Sequence, residues 1–447
     1  MTTTPDGTPP PASDPTQLLR ERSYVVMLVL SALIGVPVAA VAYAFLKVVS
    51  EGQRWVFTTL PGDLGVGSSA TWWPLLPLPL AGLLVALSLR YLPGTGGHKP
   101  AEGFKASGAV APRDLPGIAL AAFLTLSLGV VLGPEAPLIA IGSGLGVLAI
   151  SLLKRDAPRQ AVAVIGAAGS FAAISTLLGS PIVGAFLLME ISGLAGPMLG
   201  VVLVPGLLAA GIGTLIFVGL DNLTGYGTFS LAIPNIPPFS TPTLAEFLWA
   251  LAIGFAAAMV GTAIRRAALA LQSRVEPQRV LLMPAVGLGI GAAAVMYGAF
   301  TDHPSTEVLF SGQTALPGLV EGAAGYSVGA LILLAVCKSV GYTLALSCFR
   351  GGPVFPGMFI GAVGGVALSH LPGLPMIAGV AMGIGALTVV MLELPLTSAL
   401  LAFIFMGADG LSLAPLIIVA VVVAYVAAAR LAPTPADDAQ PQTSAAT

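Results

Sequence analysis

Glu135 stands in the run Gly133, Pro134, Glu135, Ala136, Pro137, with apolar residues on both sides. A carboxylate placed so can hold a proton, accept hydrogen bonds from a helix end, or act as a tethered anion. A second run, Arg350, Gly351, Gly352, Pro353, Val354, Phe355, Pro356, Gly357, has the same glycine and proline punctuation without the carboxylate. Few other residues offer chemistry. His98, His303 and His370 are far apart in sequence, and no HxxxH, HExxH, phosphate-loop or dinucleotide spacing occurs. No metal, ATP or organic cofactor and no enzymatic activity are therefore expected. Cys337 and Cys348 share one apolar segment, which leaves neither a disulfide framework nor a CxxC site.

The elements that carry these residues belong in a bilayer. The chain is 56% hydrophobic and 9% charged, against roughly 45–50% and 25% in soluble domains. The runs 24–50, 115–132, 199–220 and 411–429 are long enough to cross a hydrocarbon layer of about 30 Å as helices. A net charge of -2 removes nucleic acid from the expected partners. Basic residues gather at Arg20 and Arg22, at Lys99, Lys105 and Arg113, at Lys154 to Arg159, at Arg265 to Arg279, and at Arg430. The positive-inside rule places these groups, and with them both termini, in the cytoplasm. The expected class is an all-α, multi-pass protein of the cell membrane, its first helix retained as an anchor rather than removed as a signal peptide. Its order would be a tail at 1–23, a first half at 24–220, a linker at 221–242, a second half at 243–431 and a disordered tail at 432–447.

The halves share a pattern. Pro137, Gly142 and Gly146 recur as Pro356, Gly361 and Gly365, P-x4-G-x3-G twice at one constant offset. Gly179 to Leu188 and Glu393 to Ala402 repeat a proline-led apolar segment. Such a pattern is either coincidence in a Gly/Ala/Leu-rich chain or the mark of a repeat transporter with its site where the halves meet. Helices that start at membrane depth turn their first N–H groups toward a cavity, and each such end carries about half a positive charge. Two converging ends can hold a partly dehydrated anion. Glu135 then either caps its own helix or gates the pathway, filling it when ionised and leaving when protonated.

On these residues the chain resembles the ClC family of chloride channels and chloride/proton antiporters over about 24–431. Gly133 to Pro137 is similar to the family's G-(K/R)-E-G-P signature, Arg350 to Gly361 to its G-x-F-x-P segment, and Gly179 to Glu190 to its N-A-P-L-A-G-type helix. The resemblance implies an inverted-repeat fold with broken helices meeting at mid-membrane, a homodimer with one pathway per subunit, and Glu135 as gate. It implies anion contacts from Gly133, Pro134, Ala136, Gly352, Pro353, Val354, Phe355 and Pro356, and from Tyr425, at the place of the family's anion-binding tyrosine.

The departures are specific. Where the family reads GSGIP, with an anion-lining serine, this chain aligned on Pro100 reads Gly96, Gly97, His98, Lys99, Pro100, so His98 and Lys99 either replace the serine or belong to a solvated loop. The family's inner proton glutamate falls on Ile191, while Glu190 beside it is either a displaced relay or a structural carboxylate. Lys338 either pairs with another segment or adds potential to the pathway; Arg350 is a vestibule cation or a topological anchor; Tyr425 could also be an interfacial aromatic. Glu393 reads as a helix-terminal charge. The expected activity is transport of chloride or a similar small anion, with a channel or uncoupled carrier ahead of a proton antiporter. The alternative is a secondary transporter of an organic anion or fluoride on a related fold.

Overall fold

The computed structural model describes residues 20–67, 70–104, 108–193, 197–225, 233, 239 and 241–432. Residues 1–19 and 433–447 of the tails and 13 of the 22 linker residues lie outside these ranges, as does Lys105. Fourteen principal helices follow, seven in each half. The first seven are α1 (Arg22–Arg54), α2 (Pro77–Tyr91), α3 (Leu115–Ser127), α4 (Glu135–Leu153), α5 (Arg159–Leu178), α6 (Pro181–Ser192) and α7 (Pro197–Thr224). The second seven are α8 (Leu244–Val275), α9 (Arg279–Phe300), α10 (Val328–Cys348), α11 (Val354–Leu368), α12 (Met376–Leu392), α13 (Pro395–Phe405) and α14 (Gly410–Leu431).

The packing repeats with the order. α4 lies on α5 as α11 lies on α12, α5 on α7 as α12 on α14, and α1 on α7 as α8 on α14. The glycines of the doubled motif make the first of these contacts possible. Gly142 and Gly146 press on the carbonyls of Gly169 and Ile165, and Gly361 and Gly365 on those of Gly383 and Gly379, where any Cβ would collide with backbone. Local geometry repeats as well. Pro134 precedes α4 at φ −84°, ψ 0°, and Pro353 precedes α11 at φ −89°, ψ −6°. α5 ends on Gly179 at φ 60°, and α12 ends on Glu393 at φ 61°. There the second half carries a side chain in a left-handed conformation suited to glycine, and its carboxylate pairs with Arg265.

Helices meet their counterparts across the join. Gly82 of α2 abuts Met283 of α9, Gly287 of α9 abuts Leu78 of α2, and α6 packs on α13. The first half and the second half are therefore one inverted-repeat body. α11, α12 and most of α4 are buried on all sides, whereas α1 and α8 present Val25, Val29 and Leu33, and Leu248, Phe255 and Met259, outward as a lipid-facing surface. With 12, 15 and 11 residues, α6, α11 and α13 are too short for a span needing about 20 residues. They are broken helices, and α11 begins at the centre of the protein.

Candidate anion site

Two non-helical segments bring the helix ends together. Residues 128–134 lead into α4 and residues 349–353 into α11, and they pair as antiparallel strands at one point. The N–H of Gly133 donates to Gly352 O at 2.8 Å, and the N–H of Gly352 donates to Gly133 O at 2.5 Å. A Cβ at either glycine would strike the Glu135 carboxylate, so the two glycines leave room for that group in this position.

Glu135, first residue of α4, is fully buried. Its Oε1 accepts the N–H of Phe355 at 2.9 Å, in the first turn of α11. The carboxylate thus caps the opposite half's helix, and lies where a dissolved anion would meet that helix end. Oε2 has no hydrogen-bond partner among the described residues, an uncommon state for a buried oxygen. Val354, Phe355 and Pro356 are buried in this first turn, and Gly357 faces Met391.

The ring beside this turn is Tyr342, not Tyr425. The Tyr342 hydroxyl, fully buried on α10, donates to Pro353 O at 2.6 Å and fixes the turn that presents the Phe355 N–H. Tyr425 is 40% exposed on the outer side of α14, which corrects its expected role as an anion ligand. The cause is the helical period: on α14 the inward face is Leu413, Leu416, Ile417, Ala420, Val421 and Ala424, and Tyr425, one turn after Val421 at its edge, falls roughly 110° from the centre of that face.

His98 and Lys99 part company. His98 bonds to Gly103 O and lines a cavity of about 430 Å³ with Asp114, Ile118, Ala136, Ile139 and Ile191. This cavity reaches the residue next to Glu135 and also the position of the absent inner glutamate. Lys99 points elsewhere, with its ammonium 2.6 Å from Glu276 and 3.5 Å from Glu102, so the expectation that both line one pathway is corrected. The preceding turn, Gly94 to Gly97, keeps positive φ throughout, Thr95 included at 48°. With two residues inserted, Gly94, Thr95 and Gly96 match the family's Gly-Ser-Gly, which alignment on Pro100 conceals.

Glu190 lies at the join of α6 and α13. Its oxygens accept the N–H groups of Leu396 at 3.0 Å and Thr397 at 2.8 Å, and the Thr397 hydroxyl at 2.6 Å. It therefore caps α13.

Lys338 is fully buried, and its ammonium donates to the carbonyls of Glu307 at 2.9 Å, Val308 at 3.2 Å and Leu309 at 2.9 Å, over the Phe359 ring of α11. The Glu307 carboxylate accepts the hydroxyls of Tyr297 at 2.7 Å and Tyr326 at 2.9 Å. Burial first, and then the Glu307 carboxylate, push the Tyr326 hydroxyl above its ordinary range and keep it a donor. The Lys338 cluster is a clamp on the segment 305–310, whose Phe310 N–H in turn donates to Gly129 O, ahead of α4. Lys338→Met should lower the midpoint of thermal unfolding, since each buried carbonyl left without a donor costs about 1–3 kcal/mol. An unchanged midpoint in detergent would exclude the clamp.

Two half-length bundles, whose broken helices converge on one buried carboxylate, define a multi-pass membrane protein of the inverted-repeat anion-transport class. The model of the voltage gated chloride channel family matches residues 81–429, and the chain belongs to that family, one of anion transporters and channels. It is 32% identical over 365 residues to the candidate ion-transport protein YfeO of Salmonella paratyphi A, covering 80% of this chain and 84% of that one. It is 28% identical over 359 residues to YfeO of Escherichia coli, covering 80% and 82%. Among solved structures it is similar to a slow cyanobacterial Cl-/H+ antiporter, with TM-score 0.73, 20% identity, and 91% and 94% of the two chains covered. It is also similar to a CLC-type fluoride/proton antiporter, with TM-score 0.67, 20% identity, and 90% and 95% covered. At these identities the structural likeness speaks for the fold.

Proposed function

We propose that the chain carries chloride or a similar small anion across the cell membrane and that Glu135 is its gate. The observation that supports this reading is the Glu135 carboxylate bound to the Phe355 N–H, a tethered anion on a helix end suited to a free one. In this reading the cavity lined by His98 and Ala136 is the inner vestibule. The backbone at Gly133, Pro134, Ala136 and 352–356 surrounds the ion position once the carboxylate withdraws. Both termini and the basic clusters face the cytoplasm, and two copies associate, each with its own pathway through the halves 24–220 and 243–431.

Channel or uncoupled transport is favoured over proton exchange. Ile191 cannot hold a proton, and the Glu190 carboxylate is committed to three donors of α13. The test is chloride efflux from loaded proteoliposomes, recorded together with external pH, and repeated with fluoride and with an organic anion. Chloride leaving without opposing proton movement is the expected result. Strict coupling to protons would replace the channel reading with an antiporter. Efflux of fluoride alone would change the ion, and movement of the organic anion alone would remove the halide assignment.

A further inference from the structure

Arg350 carries a buried charge that makes no ion pair among the described residues. It is 5% exposed, immediately before the glycines that lead into α11. Its Nε donates to Thr95 O at 3.1 Å, and its Nη1 donates to the carbonyls of Cys348 and Phe349, each at 3.2 Å. These are neutral acceptors. Among the described residues no carboxylate lies within ion-pair distance of the guanidinium, and no hydrogen bond engages Nη2. A buried cation whose hydrogen-bond partners are all neutral, with Glu276 and Glu102 acting on it only from beyond ion-pair distance, is costly, and a counter-ion lowers that cost.

The space beside it is shaped for one. Arg350 lines a cavity of about 20 Å³ together with Lys99, Arg279, Glu276, Gln272 and Ser347. On that scale a single water needs roughly 10–15 Å³, so one water or one small ion fits and an organic anion does not. Three cations face a single carboxylate in this lining. Glu276 is drawn toward Lys99 at 2.6 Å and lies 3.6 Å from Arg279, while Glu102, just behind, pairs with Lys99 at 3.5 Å. Positive charge stays in excess even with Glu102 counted. Arg279 and Glu276 also line a wider recess with Arg90, at the turn between α8 and α9, which gives an approach from the basic end.

We infer that this cavity is a second anion-binding site, separate from the position held by Glu135, and that it takes one small inorganic anion with Arg350 as counter-charge. Gly352, only two residues along from Arg350, is paired to Gly133 at the gate, so an ion held here waits close to the gated position. Its role as a waiting place rests on the proposed anion pathway; its existence as a site does not.

The experiment is diffraction from crystals of the full-length protein grown in bromide, read at the bromine absorption edge, for wild type and Arg350→Gln. The expected result is an anomalous peak between Arg350 and Lys99 in the wild type and none there in the variant, with bromide affinity by calorimetry about tenfold weaker or more. Arg350→Lys should retain part of that affinity. No peak in the wild type, or an equal one in Arg350→Gln, overturns the inference. The wild-type crystal needs no variant to fold, so the test stands even if Arg350→Gln does not express. Bromide in the cavity of a protein that passes no halide would defeat the transport reading and keep the site. Halide flux with an empty cavity would do the reverse.

Discussion

Where Glu135 is ionised, halide flux through Glu135→Gln should exceed wild-type flux by about ten- to a hundredfold, and the gap should close as acid protonates the wild-type gate. The magnitude follows from one interaction. In the wild type the ionised carboxylate accepts the Phe355 N–H at 2.9 Å, and a hydrogen bond to a charged group contributes about 1.5–3 kcal/mol. Glutamine keeps the shape but offers a neutral acceptor without the attraction to the α11 end, so the closed arrangement loses most of its advantage over an entering anion. Because the amide does not titrate, any pH dependence of wild-type flux should vanish with it. Efflux from proteoliposomes at several pH values measures both effects. Equal flux from the two proteins would remove Glu135 as the gate.

Gly361→Leu should leave no monodisperse protein after extraction, whereas Gly364→Leu, three residues along the same helix, should behave as wild type. At 361 the new side chain would meet the carbonyl of Gly383, and main chain inside a buried helix pair cannot step aside, so the cost is about 3 kcal/mol or more. At 364 nothing lies within contact distance of an added Cβ. Size-exclusion profiles of the two variants give the comparison. Normal profiles for both would show that α11 and α12 are not held as close as the structure has them. Gly142→Leu should fail as Gly361→Leu does, since Gly142 meets Gly169 in the same way.

What could be read from the amino acids followed from backbone necessity. Within the doubled spacing, Gly142 and Gly146 mark positions where helices touch through their main chains, and that requirement leaves only glycine or a residue nearly as small. Glu135 stood out because a carboxylate inside an apolar run is rare. What stayed hidden depends on contacts between distant segments. Tyr342 gives no local sign that it will hold Pro353 O, eleven residues further on. Lys99 looked free until α8 and the turn after it brought Glu276 to it. Lys338 has no carboxylate within a helical turn, and its partners are carbonyls of a loop some thirty residues upstream. Tyr425 was misplaced for a narrower reason, since a single residue of helical phase separates the core of α14 from its surface.

The constant offset between the halves has a further consequence at the point where Gly133 pairs with Gly352. Glu135 of the first half corresponds to Val354 of the second, and each is the first residue of its helix. Had duplication left the halves identical, two carboxylates would face one another across the symmetry axis, and like charges so close cannot both ionise. With valine at the second position a single ionisable group occupies this pair, and on the proposed reading that one acid is the switch.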